Sequence, residues 1–230
     1  MEIEELQKKS CGDIAHGLVK GALGTIPVLG APAAEIFGLI VSPPLEKRRI
    51  EWMNEIAEKL KELENSNRIN IAELANDEHF IDVVLQSTTF ALRTSQKEKK
   101  EAFKNAILNT AVKYPIDETK AQIFLNQLDK LTYWHIIILQ FLKCPSDWLV
   151  EIKKTLSIST MMNFLSFIKE VFPELKNEDE LIEIIWNDLK IAGFHNSTDL
   201  NTLMSAGAWF DAKSRTTEFG NDFLDYIRFV

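Results

Sequence analysis

The sequence predicts a mostly all-α protein, and three observations carry that expectation. Apolar residues recur at helical spacing through much of 45–130, and no stretch of 13–130 shows the alternation of a half-buried strand. Asp77 and Asp117 stand just before such runs, where a helix needs an N-cap, and Gly193 stands just after one, where glycine suits the left-handed C-terminal cap. Pro115 and Pro145 close two further runs. The expected organisation is an N-terminal helical bundle over 1–130 that includes a Gly/Pro-rich apolar helical hairpin at 13–44. A C-terminal domain over 131–230, helical with a small β-hairpin, completes it.

The hairpin is the unusual part. Between Lys20 and Glu46 the only formally charged residue is Glu35, and six of the nine glycines and four of the seven prolines fall between Gly12 and Pro44. Asp13 is placed to cap a helix from Ile14 to about Thr25; Pro27, Gly30 and Pro32 then mark a turn. A second arm from Ala33 to Val41 is expected to end at Ser42-Pro43-Pro44. Each arm is about 12 residues, roughly 18 Å of helix, too short for a hydrocarbon core of about 30 Å. Small residues fall four apart at Gly17 and Gly21, with Gly24 near the next turn, and again at Gly30, Ala34 and Gly38. That spacing lets two helix backbones approach closely. It fits first tight packing inside a soluble bundle, and second a hairpin that leaves the bundle to oligomerise or to enter a membrane surface. Lys47, Arg48 and Arg49 follow directly. They read as the solvated start of a helix, since Glu46 and Glu51 flank them, or as a contact to phospholipid headgroups.

From Leu45 to Glu64 the periodicity predicts a helix whose inner face is Ile50, Met53, Ile56, Leu60 and Leu63. Shorter helices are expected over 71–76, 78–93, 97–112 and 118–130. In the 97–112 segment Phe103, Ile107 and Ala111 share one face, and lysines fill the other. Beyond Leu131 the chain becomes more apolar. Helices are expected over 131–144, 160–171 and 178–191, then a polar segment at 204–220, then a closing helix at 221–229. Three helices, a short hairpin-like segment and a closing helix make the order of a winged-helix domain. The run 189–194, then 217–220 and Phe223-Leu224, resembles the recognition helix, wing and closing helix of that fold. DNA binding is disfavoured all the same. The recognition position offers Glu178, Asp179, Glu180, Glu183, Asn187 and Asp188 against Lys190 alone, and from Leu125 onward ten Lys/Arg face fifteen Asp/Glu. Lys213 and Arg215 on the wing are the candidate nucleic-acid contacts.

Composition sets the remaining bounds. An apolar fraction of 46% and a charged fraction of 26% are those of a globular chain. The net charge of −8 opposes broad attraction to nucleic acid or anionic lipid. Cys11 and Cys144 are far apart and unpatterned, and the apolar run starts too late for a signal peptide, so a reduced cytoplasmic setting is expected. The four histidines, His16, His79, His135 and His195, lack metal-ligand spacing, and His135, between Trp134 and Ile136, reads as a satisfied core histidine. The segment 21–27, GALGTIP, lacks the Lys-Ser/Thr pair of a phosphate loop, and there is no G-x-S-x-G elbow. No catalytic residue, cofactor site or metal site is predicted, and the expectation is a non-enzymatic protein.

The hairpin followed by Pro44-Leu45-Glu46-Lys47-Arg48-Arg49 and then Trp52, within 26–63, resembles the start of bacterial conflict-system proteins; the segment 76–109 resembles the same group. The named family it is most similar to is the Abi-alpha type of abortive-infection protein, and the likeness spans about half the chain. It implies an anti-phage defence role and transfers no catalytic residue. The resemblance implies no mechanism. The small-residue spacing beside Lys47–Arg49 leads to the expectation that the hairpin oligomerises or perturbs the inner membrane under control of the C-terminal domain, with a protein partner or a second copy. The alternatives are a regulatory or scaffold protein acting through the winged helix on a protein or, less favoured, on DNA, and an antitoxin-like subunit.

Overall fold

A computed structural model describes residues 31–148, 161–197, 199–205 and 214–228, leaving the side chains of 31–43, 146 and 147 outside that description. The protein is mostly helical, with one small antiparallel β element. The chain divides into two compact units, the first ending at Glu55 and the second running Ile56–Val230.

The first described helix, α1 (Ala31–Asn65), corrects the expected stop at Ser42-Pro43-Pro44, because it runs through both prolines for 35 residues. Proline's fixed φ is itself helical, so the two residues remove two rungs of the hydrogen-bond ladder without forcing the chain out of the helix. The Leu-, Glu- and Lys-rich stretch behind them consists of strong helix formers. Pro32, second in the helix, removes an N–H that has no partner there in any case. The inner face also differs from expectation. Trp52, Ile56 and Leu63 are buried and Leu60 half-buried, whereas Ile50 (52%) and Met53 (53%) are exposed. Residues 52, 56, 60 and 63 follow at steps of four, four and three, and 53 lies about 100° around the helix from 52. The tryptophan, which the periodicity overlooked, sets the register.

In the second unit, Asn70 caps α2 (Ile71–Leu74) and Asp77 caps α3 (Glu78–Arg93) through its carboxylate on Phe80 N at 3.1 Å. α3 packs against α4 (Lys97–Ala111), where Phe90 and Phe103 lie 5.7 Å apart. Phe103, Ile107 and Ala111 are buried, as the spacing predicted. Lys99 joins them, against expectation. It sits at i−4 from Phe103 on the same face, with Nζ donating to the carbonyl of Asp129 at 2.8 Å. Asp117 caps α5 (Glu118–Lys130) from the predicted position, its carboxylate accepting from Lys120 N.

Then come α6 (Tyr133–Lys143) and the short α7 (Pro145–Trp148). Strand β1 (Met161–Met162) stands where a helix start was expected, so α8 (Phe164–Val171) begins at the Asn163 cap instead. A 3-10 turn at Pro173–Leu175 leads to α9 (Asp179–Ile191). Strand β2 (Met204–Ser205) pairs antiparallel with β1, Met161 opposite Ser205 and Met162 opposite Met204. An isolated antiparallel bridge joins His195 to Thr216. Last, α10 (Glu218–Tyr226) starts three residues before its expected position because Thr217 Oγ1 accepts from Gly220 N at 3.0 Å.

The expected join near residue 130 falls inside the second unit, where side chains from both sides share one core. Phe124 of α5 has Phe219, Phe223, Tyr226 and Phe194 within 4.9 to 6.4 Å, and Phe194 stacks on Phe223 at 4.4 Å. Asn109, buried on α4, donates to the carbonyls of Tyr226, Arg228 and Asp225 at 2.7, 3.0 and 3.3 Å, which satisfies the open C-terminal end of α10.

Candidate functional site

The described residues concentrate unusual surface chemistry on α9. Asp179 and Glu180 in its first turn and Lys190 in its last complement the helix dipole. Gly193 follows at φ +76°, the left-handed cap expected from its place in the sequence. Ile182, Ile185, Trp186 and Leu189 recur at i, i+3, i+4 and i+7 and are buried. That row alone gives the helix a complete inner face. On the other side Leu181 (36%), Ile184 (56%) and Ile191 (84%) are exposed. At i, i+3 and i+10 they form one outward stripe, with Asp188 at i+7.

Acidic residues flank the stripe. Glu178, Glu180 and Glu183 are exposed and make no ion pair among the described residues, while Asp179 pairs with Lys169 at 2.6 Å. Asp188 is half-exposed, with Oδ2 3.3 Å from His135 Nε2. The His135 ring is fixed from the other side, because Nδ1 accepts from the Thr132 backbone N–H at 3.2 Å, which puts the proton on Nε2. Burial lowers the His135 pKa, and Asp188 works against that shift. His135 therefore behaves as the satisfied core histidine the sequence suggested, but with a link to α9 that the sequence did not reveal. His195 is buried too, between Trp186 O at 2.9 Å and Ser197 N at 3.2 Å, and burial lowers its pKa.

The other predicted positions are dispersed. Gly17, Gly21, Gly24 and Gly30 lie outside the described residues, as does Lys213. Ala34 and Gly38 lie one turn apart within α1. Lys47 faces Glu51 and Arg49 faces Glu46, each at 3.8 Å along the helix, while Arg48 is exposed and makes no ion pair among the described residues. Exposed pairs of this kind contribute at most about 1 kcal/mol. Arg215 is half-buried, with its backbone N–H on Leu142 O at 2.8 Å. Among the described residues no helix is long and apolar enough to cross a membrane, and no group of three His, Cys, Asp or Glu could hold a metal ion.

Among the described residues two depressions are much larger than the hollow beside α9, and a third, of about 320 Å³ at Lys143, Cys144, Trp148 and Asp225, is close to it in size. One of about 690 Å³ is lined by Glu64, Arg68, Glu73, Asp77 and Lys113, among others. Another of about 570 Å³ runs along Glu98, Asn105, Tyr133, Ile136 and Arg228. Neither sets a nucleophile against a base. The hollow beside α9, about 300 Å³, is walled by Glu183, Asn187, Lys190, Asp199 and Asn201.

The outward apolar stripe is the feature that sequence reasoning missed. A signal was present, since 179–191 carries more large apolar residues than one buried face can use. Compared with known proteins, the chain matches no family model, no curated protein and no solved structure.

Proposed function

We propose that the chain is a non-enzymatic regulatory or scaffold protein acting through a winged-helix-like region over 131–230, whose helix α9 engages a protein rather than DNA. Among the described residues, the order α6, the short α7, β1, α8, α9, β2, with β1 antiparallel to β2 and α10 closing the region, supports the winged-helix comparison. One observation carries the choice of partner: the outward surface of α9 is an apolar stripe with the exposed Glu180 and Glu183 on the same helix beside it. A helix that reads a groove presents Arg, Lys, Asn or Gln to bases and phosphates, and carboxylates in those positions repel the backbone. Titration of a fluorescent DNA duplex at about 50 mM salt tests the reading, with no saturable binding expected. Binding that weakens steeply with salt and is lost in Lys213→Ala with Arg215→Ala would overturn it.

A second reading is anti-phage defence by abortive infection, favoured by the resemblance at 26–63 and 76–109. Here the apolar segment 13–44, whose second arm continues through Pro44 as α1, oligomerises or perturbs the membrane under control of the C-terminal region. Its support is the four-residue spacing of small residues, and the exposed Arg48 between Lys47 and Arg49. Dye release from anionic liposomes by the full chain, abolished by Gly21→Leu with Gly38→Leu, is the expected result; release that survives both substitutions removes the hairpin from the mechanism.

A further inference from the structure

The stripe on α9 restricts what can sit on it. From Leu181 to Ile191 it spans ten residues, roughly 15 Å along the axis, or about three turns. The backbone groups of α9 are bonded within the helix, so the face has no open edge for an added strand. A row of branched side chains about three turns long is instead a ridge that fits the groove of another helix.

Charge narrows the choice further. Glu180 and Glu183 border the ridge without an ion pair among the described residues. Asp188 interrupts it between Ile184 and Ile191, and engages only one carboxylate oxygen with His135. A cation on the incoming helix opposite Asp188 therefore finds an acceptor already fixed in place by α6. A second copy meeting this one face to face would set glutamates against glutamates, and an anionic lipid surface would meet the same repulsion.

Resting on the protein-binding reading of α9, we propose that the Leu181–Ile184–Asp188–Ile191 face is the docking site for a cationic amphipathic helix of a partner protein. Apolar side chains of that helix straddle Ile184 and Ile191, a Lys or Arg between them pairs with Asp188, and further cations meet Glu180 and Glu183. The interaction is a ridge-into-groove contact between two helices, with charge selecting the partner.

The test uses the full chain and a fluorescein-labelled lysine–leucine peptide with leucines at i, i+3, i+4 and i+7 spacing over several turns. Two controls accompany it, a scrambled peptide of the same composition and a counterpart with Glu in place of Lys. Anisotropy is expected to show saturable binding of the patterned lysine peptide, at least tenfold weaker for either control. Ile184→Ser with Ile191→Ser should weaken binding at least tenfold and Asp188→Asn several-fold. Leu85→Ser, at an exposed leucine on α3, should leave it unchanged. All four positions are at least half-exposed, so thermal melts of the variants should match the parent. Equal binding of the scrambled peptide, equal loss in Leu85→Ser, or no saturable binding would overturn the proposal. Sedimentation showing a dimer that Ile184→Ser dissociates would also overturn it, by giving the face to a second copy. If the peptide fails and DNA does not bind, only the helical partner is refuted; binding of the duplex refutes the protein-binding reading itself.

Discussion

Helices α4 and α9 are of similar length, 15 and 13 residues, and each buries an apolar row in the same unit, yet their outer faces differ. On α4 every apolar residue is buried, and the solvent side is Lys97, Glu98, Lys100 and Glu101. On α9 the inner row is equally complete, but Leu181, Ile184 and Ile191 remain outside it. The contrast separates what folding requires from what it does not. α4 packs without apolar residues to spare, and α3 and α5 each leave a single exposed one, Leu85 and Ile123, whereas α9 aligns three on one face, a surplus its core does not use.

The largest effect should come from the inner faces. Phe103→Ala on α4 removes a fully buried ring and should cost about 3–5 kcal/mol in urea unfolding. Trp186→Ala on α9 should cost a similar amount, and a small loss at either position would mean that the two cores are not comparable.

Next is the end of α9. A Cβ at Gly220 would lie 2.2 Å from the Phe194 carbonyl oxygen, and backbone cannot yield as a flexible side chain would. Gly220→Ala should destabilise by about 1–3 kcal/mol, read as a lowered melting temperature. An unchanged melt would show that α10 can slide away from the loop after α9.

Acidification bears on α9 through His135 and His195. Burial is the leading cause of both lowered pKa values, so both rings stay neutral in the folded protein while the unfolded chain binds protons. The stability this provides is complete above the ordinary histidine value of 6.5 and is lost as pH falls from there toward the folded pKa values. Urea midpoints that do not fall between about pH 7.5 and pH 5 would contradict the burial of these rings.

The smallest effect sharpens the comparison most. Ile184→Ser, Ile191→Ser and Lys100→Ala should each change stability by no more than about 0.5 kcal/mol. A loss well above that at Ile184 or Ile191 would make the stripe part of the core and remove the contrast with α4.

The sequence disclosed those elements whose signals are local. Helices α3 and α5 begin and end where the caps at Asp77 and Asp117 and the periodicity of 78–93 and 118–130 placed them. Features that depend on distant residues were not legible. Met161 and Met162 look helical alone and become a strand only because Met204 and Ser205 arrive beside them. Lys99 belongs with the outer lysines by type, and its burial depends on an acceptor thirty residues away. Pro43 and Pro44 misled for the opposite reason, since a local rule about helix ends was outweighed by the strong helix formers that follow. As for the site, the acidity of α9 was readable; which of its apolar residues would be left outside was not.

The carbonyls gathered by Asn109 also bear on the order in which the protein forms. The acceptors lie 116 to 119 residues further along the chain, and Phe124 waits for rings at 194, 219, 223 and 226. During synthesis α4 and α5 therefore emerge with their shared core unfinished, and loop closure over more than a hundred residues must precede its completion. Until α10 is in place the Phe124 ring lacks three of the four aromatic partners it has in the fold, and exposed apolar surface of that kind favours aggregation.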